Sequence, residues 1–377
     1  MKKIIICLMI CLIALTCVVT NKTLSVKAEN YCKASVVIEA SSKRVLSEHN
    51  KDEKLAMAST TKIMTALITL ENVDNLDEKI LIDDRAVGIE GTSLYLKKGE
   101  KLTVRELLYG LMLPSGNDAG LALGYYVGKG CVNNFIQKMN DKVEELNLKN
   151  THFANTHGLD EKDHYTSAYD LAVITSEAMK NKDFREIVST KNIQITGNEE
   201  VKHRFLRNKQ RLLKTLEGCN GVKTGFTDNA GRCLVTSCNR NGMELISVVL
   251  NCPNMFEESE RLILDAYTTY SFETILEPYY YITNIPVEEG KFDFVKVFSM
   301  KGFKYPLKEG EKNLIHIEKE LPEMLNAPVE KEAIVGELKI FFENTLIFSE
   351  KIYTMESVES VDIKDKVKDI IDKWFYE

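Results

Sequence analysis

A serine and a lysine stand three residues apart in the apolar run AMASTTKIMTAL, as Ser59 and Lys62. A hydroxyl is a weak nucleophile at neutral pH and needs a base beside it. On a helix, positions three apart face the same way, so Lys62 can reach Ser59. A lysine accepts a proton only when neutral, and burial together with a second cation nearby lowers its pKa toward that state. Alone, the pair carries little weight. About one Ser-x-x-Lys match is expected by chance in a chain of this size, and for the pair alone a helix cap beside a snorkelling surface cation is the stronger reading. Two further signals come after it in order. PSGND gives Ser115-Gly116-Asn117 just after a helix end, and GVKTGFT gives Lys223-Thr224-Gly225 before a strand-like run. Lys223 is a candidate for the second cation. A helix start at Ser59 would turn its backbone N–H toward a reacting carbonyl. Ser237-Cys238-Asn239 also fits the middle pattern, but it lies after Lys-Thr-Gly and is out of order.

The ordered set Ser-x-x-Lys, Ser-x-Asn, Lys-Thr-Gly belongs to penicillin-binding proteins and class A β-lactamases. With NTHFANTHGLDEKDHYTSAYDLA (150–172) and GVKTGFTDNAGRCLVTSCNRNGMELISVVL (221–250), the chain resembles the low-molecular-mass penicillin-binding proteins. These are the serine-type D-alanyl-D-alanine carboxypeptidases of bacterial walls. The resemblance covers about residues 34–273, and more loosely residues 274–377. It implies that Ser59 attacks the carbonyl between the last two D-alanines of a peptidoglycan stem peptide, forming an acyl-enzyme. Lys62 takes the Ser59 proton and Ser115 relays a proton to the leaving amine. Asn117 holds a substrate amide and helps to position Lys62. Lys223 and Thr224 attract the terminal carboxylate, while Gly225 lets the strand come close to the substrate. The backbone N–H groups of Ser59 and Phe226 form the oxyanion hole. No metal or cofactor is implied, β-lactam antibiotics become covalent inhibitors, and trimming the terminal D-alanine limits cross-linking. The alternatives are a β-lactamase or esterase of the same fold, and a non-catalytic wall-binding protein.

Two places depart from the resemblance. Where many relatives carry an arginine that contacts the substrate carboxylate, this chain has Met255 before Phe256; either Arg232 or Thr227 compensates or the carboxylate pocket is weaker. VEELN (143–147) looks like the class A β-lactamase loop that holds a deacylating glutamate, yet in register that place is Val143. Val143 also continues a helical pattern from Phe135 through Met139, so efficient β-lactamase action is disfavoured. His152 and His157 lack a third ligand at metal-binding spacing and read as loop-packing residues.

These residues need a frame. Residues 34–50 read as two short strands about a Ser-Ser-Lys turn, and a helix is expected from Ser59 to near Leu70. Thr103 and Glu106 form a capping box ahead of Leu107, Leu108 and Leu111, and Pro114 closes that helix. Helical patterns start after Gly116 and occupy 133–148 and 167–180, while GMELISVVLNC is rich in β-branched residues. Strands at both ends with helices between them give an α+β fold, an antiparallel sheet flanked by helices. This carboxypeptidase domain would occupy 29–273. Short alternating runs split by Gly and Pro predict a small all-β domain at 274–355. Residues 356–377 return to helical spacing, with Ile363, Val367, Ile370, Ile371 and the single Trp374 on one face. That amphipathic helix reads as a contact with the cytoplasmic membrane or as packing on the β domain. Its seven acids against four lysines weaken attraction to anionic lipid.

At the start, Lys2 and Lys3, the uncharged run 4–19 and Val26-Lys27-Ala28 form a signal-peptide pattern over 1–28. The rest would then be exported, to the outer membrane face or the wall of a bacterium. Losing that segment removes Lys2, Lys3, Lys22 and Lys27 and no acid, which takes the formal charge from −7 to −11. An acidic exported chain is a poor nucleic-acid binder. The six remaining cysteines, at 32, 131, 219, 233, 238 and 252, include no C-x-x-C, which disfavours zinc. The chain is large enough to do without disulfides, and Cys233 and Cys238 read as small buried residues. KHRFLRNKQRLLK (202–214) has six Lys or Arg and no acid. It reads as a solvated hairpin, with attraction to an anionic wall polymer as a second use.

Overall fold

The computed structural model describes residues 32–196 and 202–362, with Val367, Ile371 and Trp374. The signal pattern at 1–28, and Ile363 and Ile370 of the terminal helical pattern, lie outside the described residues.

β1 (Ala34–Glu39) turns into β2 (Val45–His49). Buried Glu39 organises the turn, its carboxylate accepting from the backbone N–H and hydroxyl groups of Ser41 and Ser42. A 3₁₀ turn, Ala58–Thr61, then leads into α1 (Lys62–Asn72). The helix therefore begins at Lys62, and Ser59 sits in the tighter turn ahead of it. β3 (Lys79–Leu81) pairs with β4 (Lys101–Thr103). Next come α2 (Val104–Met112), α3 (Asn117–Val127), α4 (Val132–Glu145), α5 (Ala168–Ala178) and α6 (Lys182–Ser189). The Thr103–Glu106 capping box starts α2, and Val143 is a buried residue of α4. β5 (Asn192–Thr196) and β6 (His203–Arg207) pair as a hairpin, and one short turn, α7 (Leu212–Thr215), leads to β7 (Cys219–Thr227). β8 (Gly231–Arg240), β9 (Met243–Leu250) and α8 (Met255–Thr269) complete this part.

The central sheet has the order β2-β1-β9-β8-β7, antiparallel throughout. Its side chains alternate between two cores. Val36, Ile38, Val235, Ile246 and Val248 pack toward the core that holds α1. Val37, Leu234, Leu245 and Val249 pack with Leu262 and Ile263 of α8. Burial on both faces makes the strands read as continuous apolar runs. α1 is buried from Lys62 to Thr69, so truncating Leu67 to alanine should cost roughly 2–5 kcal/mol.

Among the described residues the cysteines divide into one bridge and four free thiols, with Cys233 and Cys238 buried in β8. Cys32, just before β1, is disulfide-bonded to Cys252, just after β9, while Cys131, Cys219, Cys233 and Cys238 are free. The bridge encloses a sequence separation of 220 residues. In the chain-entropy account the stabilisation from so long a loop reaches about 5 kcal/mol.

β10 (Ser271–Leu276) pairs with β13 (Phe303–Leu307), and β11 (Tyr280–Glu288), β12 (Phe294–Ser299), β14 (Ile315–Glu320), β15 (Leu325–Asn326), β16 (Ile334–Phe342) and β17 (Thr345–Thr354) form a six-stranded sheet. Ile285, Val295, Val297, Leu338, Ile340 and Ile352 supply its separate core. Beyond it, Val367, Ile371 and Trp374 are helical and exposed. Among the described residues, no helix is long and apolar enough to cross a membrane.

Candidate active site

Lys62 is fully buried at the first position of α1. Its Nζ lies 3.0 Å from Ser59 Oγ, 2.7 Å from Asn117 Oδ1 and 2.6 Å from the carbonyl oxygen of His157. Burial, and then the positive charges of Lys223 and Lys209, hold its pKa well below the usual lysine range. A neutral amine has two N–H donors and one lone pair. Donation to Asn117 Oδ1 and the His157 carbonyl uses both donors and leaves the lone pair for the Ser59 hydroxyl proton.

Each partner is itself held. Asn117 opens α3 and donates its Nδ2 to Glu90 O and its backbone N–H to Thr92 O, each at 2.7 Å. The neighbouring Asp118, fully buried, fixes that same loop by accepting from Ser93 Oγ, Leu94 N and Leu96 N. Asn155 Oδ1 accepts from Gly158 N at 2.7 Å and so shapes the turn that presents the His157 carbonyl. At Gly158, φ is +91° and a Cβ would fall 1.9 Å from Ala58 O, so only glycine lets this turn meet the segment ahead of Ser59.

β7 is the edge strand that closes the other side. A Cβ on Gly225 would stand 3.1 Å from each of Ala58 Cβ, Met57 O and Ser59 N. The close approach that Gly225 permits is thus to the backbone around Ser59. Lys223 is buried and donates to Thr224 O at 2.9 Å. Burial and then Lys209 lower its pKa to about 7. Ser115 holds a left-handed φ of +78°, and its buried Oγ has no hydrogen-bond partner among the described residues. A strained residue with an unsatisfied buried hydroxyl marks a place where a ligand completes the network. Ser59, Ser115, Thr224, Gly225 and Phe226 line one cavity of about 770 Å³, with Met255 and Phe256 on its wall.

Other residues fall elsewhere. Ser237 of the out-of-order motif is buried in β8 and bonds Glu244. The His152 ring contacts Asp163 O, and the His157 imidazole accepts from Leu159 N. Among the described residues no cluster of His, Cys, Asp or Glu could hold a metal ion. Segment 202–214 is not simply a solvated hairpin. Arg204 forms a nearly buried ion pair with Glu100, Leu206, Gln210, Leu212 and Leu213 are buried, and Arg207, Lys209 and Arg211 line the cavity. Lys209 is the electrostatic residue that the motifs missed. Its only signal was membership of that cationic run.

Residues 20–254 match the family described as D-alanyl-D-alanine carboxypeptidase. The chain belongs to this family. Residues 270–360 match the C-terminal domain of penicillin-binding protein 5. Among curated relatives of the family, the D-alanyl-D-alanine carboxypeptidase DacF of Bacillus subtilis is 31% identical over 350 residues, 91% of this chain and 90% of its own. A Streptomyces D-alanyl-D-alanine carboxypeptidase is 40% identical over 214 residues, 53% of this chain and 73% of its own. The solved penicillin binding protein 5 from Haemophilus influenzae superposes with a TM-score of 0.73 at 27% identity, covering 88% of this chain and 98% of that one. The carboxypeptidase fold of this chain is accordingly the α+β arrangement of that family, succeeded by an all-β domain.

Proposed function

We propose that this serine-type D-alanyl-D-alanine carboxypeptidase trims the terminal D-alanine from wall pentapeptides through an acyl-enzyme on Ser59. The carrying observation is the buried Lys62 Nζ held between Ser59 Oγ, Asn117 Oδ1 and the His157 carbonyl. Neutral Lys62 takes the Ser59 proton as Oγ attacks the carbonyl carbon. The backbone N–H groups of Ser59 and Phe226 stabilise the oxyanion, each worth roughly 3–4 kcal/mol by deletion. Ser115, whose free hydroxyl lines the cavity, passes a proton to the departing D-alanine amine. Lys223 and Thr224 hold the terminal carboxylate. Water then releases the shortened peptide, and β-lactams acylate the same serine.

Penicillin turnover should be slow, because buried Val143 of α4 stands where a β-lactamase would carry its deacylating glutamate. The decisive experiment is mass spectrometry of D-alanine release from a diacylated Lys-D-Ala-D-Ala peptide. Ser59→Ala should abolish release and labelling by fluorescent penicillin. Unchanged release would overturn the mechanism.

Export by the 1–28 segment and membrane contact through 356–377 belong to the same proposal. The exposed Val367, Ile371 and Trp374, four and three residues apart, support an apolar face free to enter an interface. A chain ending at Thr354 should lose membrane partition, and equal partition would exclude the helix as anchor.

A further inference from the structure

Of the free thiols among the described residues, two meet across the central sheet. Cys219 opens β7, Cys238 lies near the end of β8, and the register sets their Cα atoms directly opposite. The flanking bond runs from Asn239 N–H to Gly218 O at 2.9 Å, while the Cys219 N–H turns away to Leu216 O. That is the pattern of a non-hydrogen-bonded pair, whose Cα atoms stand about 4.5 Å apart and whose side chains come closest. A disulfide spans Cα separations of roughly 4.4–6.8 Å, so this pair can close without backbone movement. The two thiols already touch, and both side chains pack on the core that holds Leu262 and Ile263. Cys233 faces the opposite core, and Cys131 precedes α4, so neither competes for this partner.

The two thiols are not equivalent. Cys219 is half-buried on an edge strand, and Cys238 is fully buried behind it. Their contact holds the Cys219 thiol below its ordinary pKa and, with burial, pushes that of Cys238 up. Cys219 is therefore the attacking thiol and Cys238 the resolving one. Neither lines the Ser59 cavity, yet Cys219 begins the strand that carries Lys223, Thr224 and Gly225.

We propose that Cys219 and Cys238 form a reversible thiol–disulfide site that takes a low-molecular-mass disulfide as oxidant and, once closed, fastens the strand bearing Lys223, Thr224 and Gly225 to β8. In the first step the Cys219 thiolate attacks one sulfur of the small disulfide. A mixed disulfide forms, and one small thiolate leaves and takes up the proton that Cys219 gave up. In the second step the Cys238 thiolate attacks Cys219 Sγ and expels the other small thiolate, which takes up the proton that Cys238 gave up. The protein loses two electrons and the small disulfide gains them as two thiols. Closure restricts the unfolded chain between Cys219 and Cys238, so the oxidised protein should keep its active-site strand in place at higher temperature.

The full chain is incubated with glutathione disulfide, remaining thiols are blocked with iodoacetamide, and tryptic peptides are read by mass spectrometry. The expected product joins residues 215–223 to residues 233–240, with fragmentation placing the bond on Cys238 and not on Cys233. The melting temperature should rise by about 5 °C or more. Fluorescent penicillin should still label Ser59 after a heating step that abolishes labelling of the reduced chain. Dithiothreitol should reverse both changes. Cys219→Ser should give neither the cross-link nor the shift, and Cys238→Ala should stop with glutathione on Cys219. Penicillin labelling before heating reports whether each variant is folded, and Cys219→Ser, at a half-buried position, suffices if Cys238→Ala does not fold. A folded native chain that keeps both thiols, or that stops with glutathione on Cys219, would overturn the proposal. So would a cross-link that leaves the melting temperature unchanged, or one that dithiothreitol cannot open in the folded chain.

Discussion

Lys62 meets three oxygens, and none belongs to a carboxylate. Its charged form lacks an acidic contact, while its neutral form has a use for every donor and for its lone pair. That asymmetry predicts a bell-shaped pH profile. As pH falls, Lys62 takes a proton and acylation is lost. As pH rises through about 7, Lys223 loses its charge, and with it the attraction for the terminal carboxylate. The alkaline limb of kcat/KM should therefore lie near pH 7. In kcat it should move higher, because a bound carboxylate favours the charged lysine. Lys209→Gln removes a like charge from both lysines, so both limbs should shift upward. A profile flat between about pH 5 and about pH 10 would remove both lysines from the chemistry. Gly225→Ala tests the frame around them. A methyl placed 3.1 Å from Ser59 N and Met57 O pushes β7 outward by a few tenths of an ångström. Acylation by penicillin should drop about tenfold or more, with the melting temperature changed little. Equal acylation would show that the close approach is dispensable.

The loop between α4 and α5 carries more of the site than its sequence suggested. It presents the His157 carbonyl to Lys62, and its two buried histidines sit as neutral acceptors. His164 Nδ1 accepts from Ala154 N at 3.0 Å while its Nε2 contacts Thr61 Oγ1 at 2.8 Å. Its Nε2–H therefore donates to Thr61, whose own hydroxyl donates to Ala58 O. His157 Nδ1 likewise accepts from Leu159 N. Protonation would set N–H against N–H in both. Burial first, and then neighbouring charges, bring His157 to about 3 and His164 to about 4. Each folded pKa is below the ordinary value near 6.5, so the stability that each contributes is full above pH 6.5 and is lost as pH falls toward the folded value. Urea unfolding should weaken below about pH 6.5 with a slope approaching about 2.7 kcal/mol per unit, two protons' worth. His164→Gln should flatten roughly half of that slope, and an unchanged slope would contradict it. The three motifs were legible because each is a short pattern contiguous in the chain. The His157 carbonyl, the Asp118 brace and Lys209 were not. A backbone oxygen has no side-chain signature, and the others reach the site only when segments far apart in sequence pack together. The signal that exposed the 34–50 hairpin, a turn between apolar runs, has no counterpart for the Cys32–Cys252 bridge, whose ends meet only through the pairing of β1 with β9.

On the scale of the whole molecule, one side chain joins the catalytic part to the β domain. Arg44, in the turn between β1 and β2, donates its Nη2 to both carboxylate oxygens of Glu311 at 2.8 and 2.9 Å and its Nη1 to Pro306 O. Its guanidinium also packs on Tyr270, Tyr305 and Phe342, at 5.4, 5.1 and 4.5 Å from the ring centroids. Both partners of the ion pair are largely buried, with 11% and 20% of their side chains exposed. Removing one member of such a pair leaves the other desolvated and unpaired, which costs more than the pair contributes when intact. Arg44→Ala should therefore weaken the junction by about 2–4 kcal/mol, after discounting the fully buried figure for partial exposure. Arg44→Lys should recover only part of this, because an ammonium that meets Glu311 cannot also donate to Pro306 O and pack a planar face on three rings. The two parts have separate cores, so calorimetry of Arg44→Ala should resolve two transitions where the native chain should give one. Penicillin labelling of Ser59 should persist, since Arg44 lies outside the site. A single unshifted transition would show that β10 and the end of α8 hold the parts together without it.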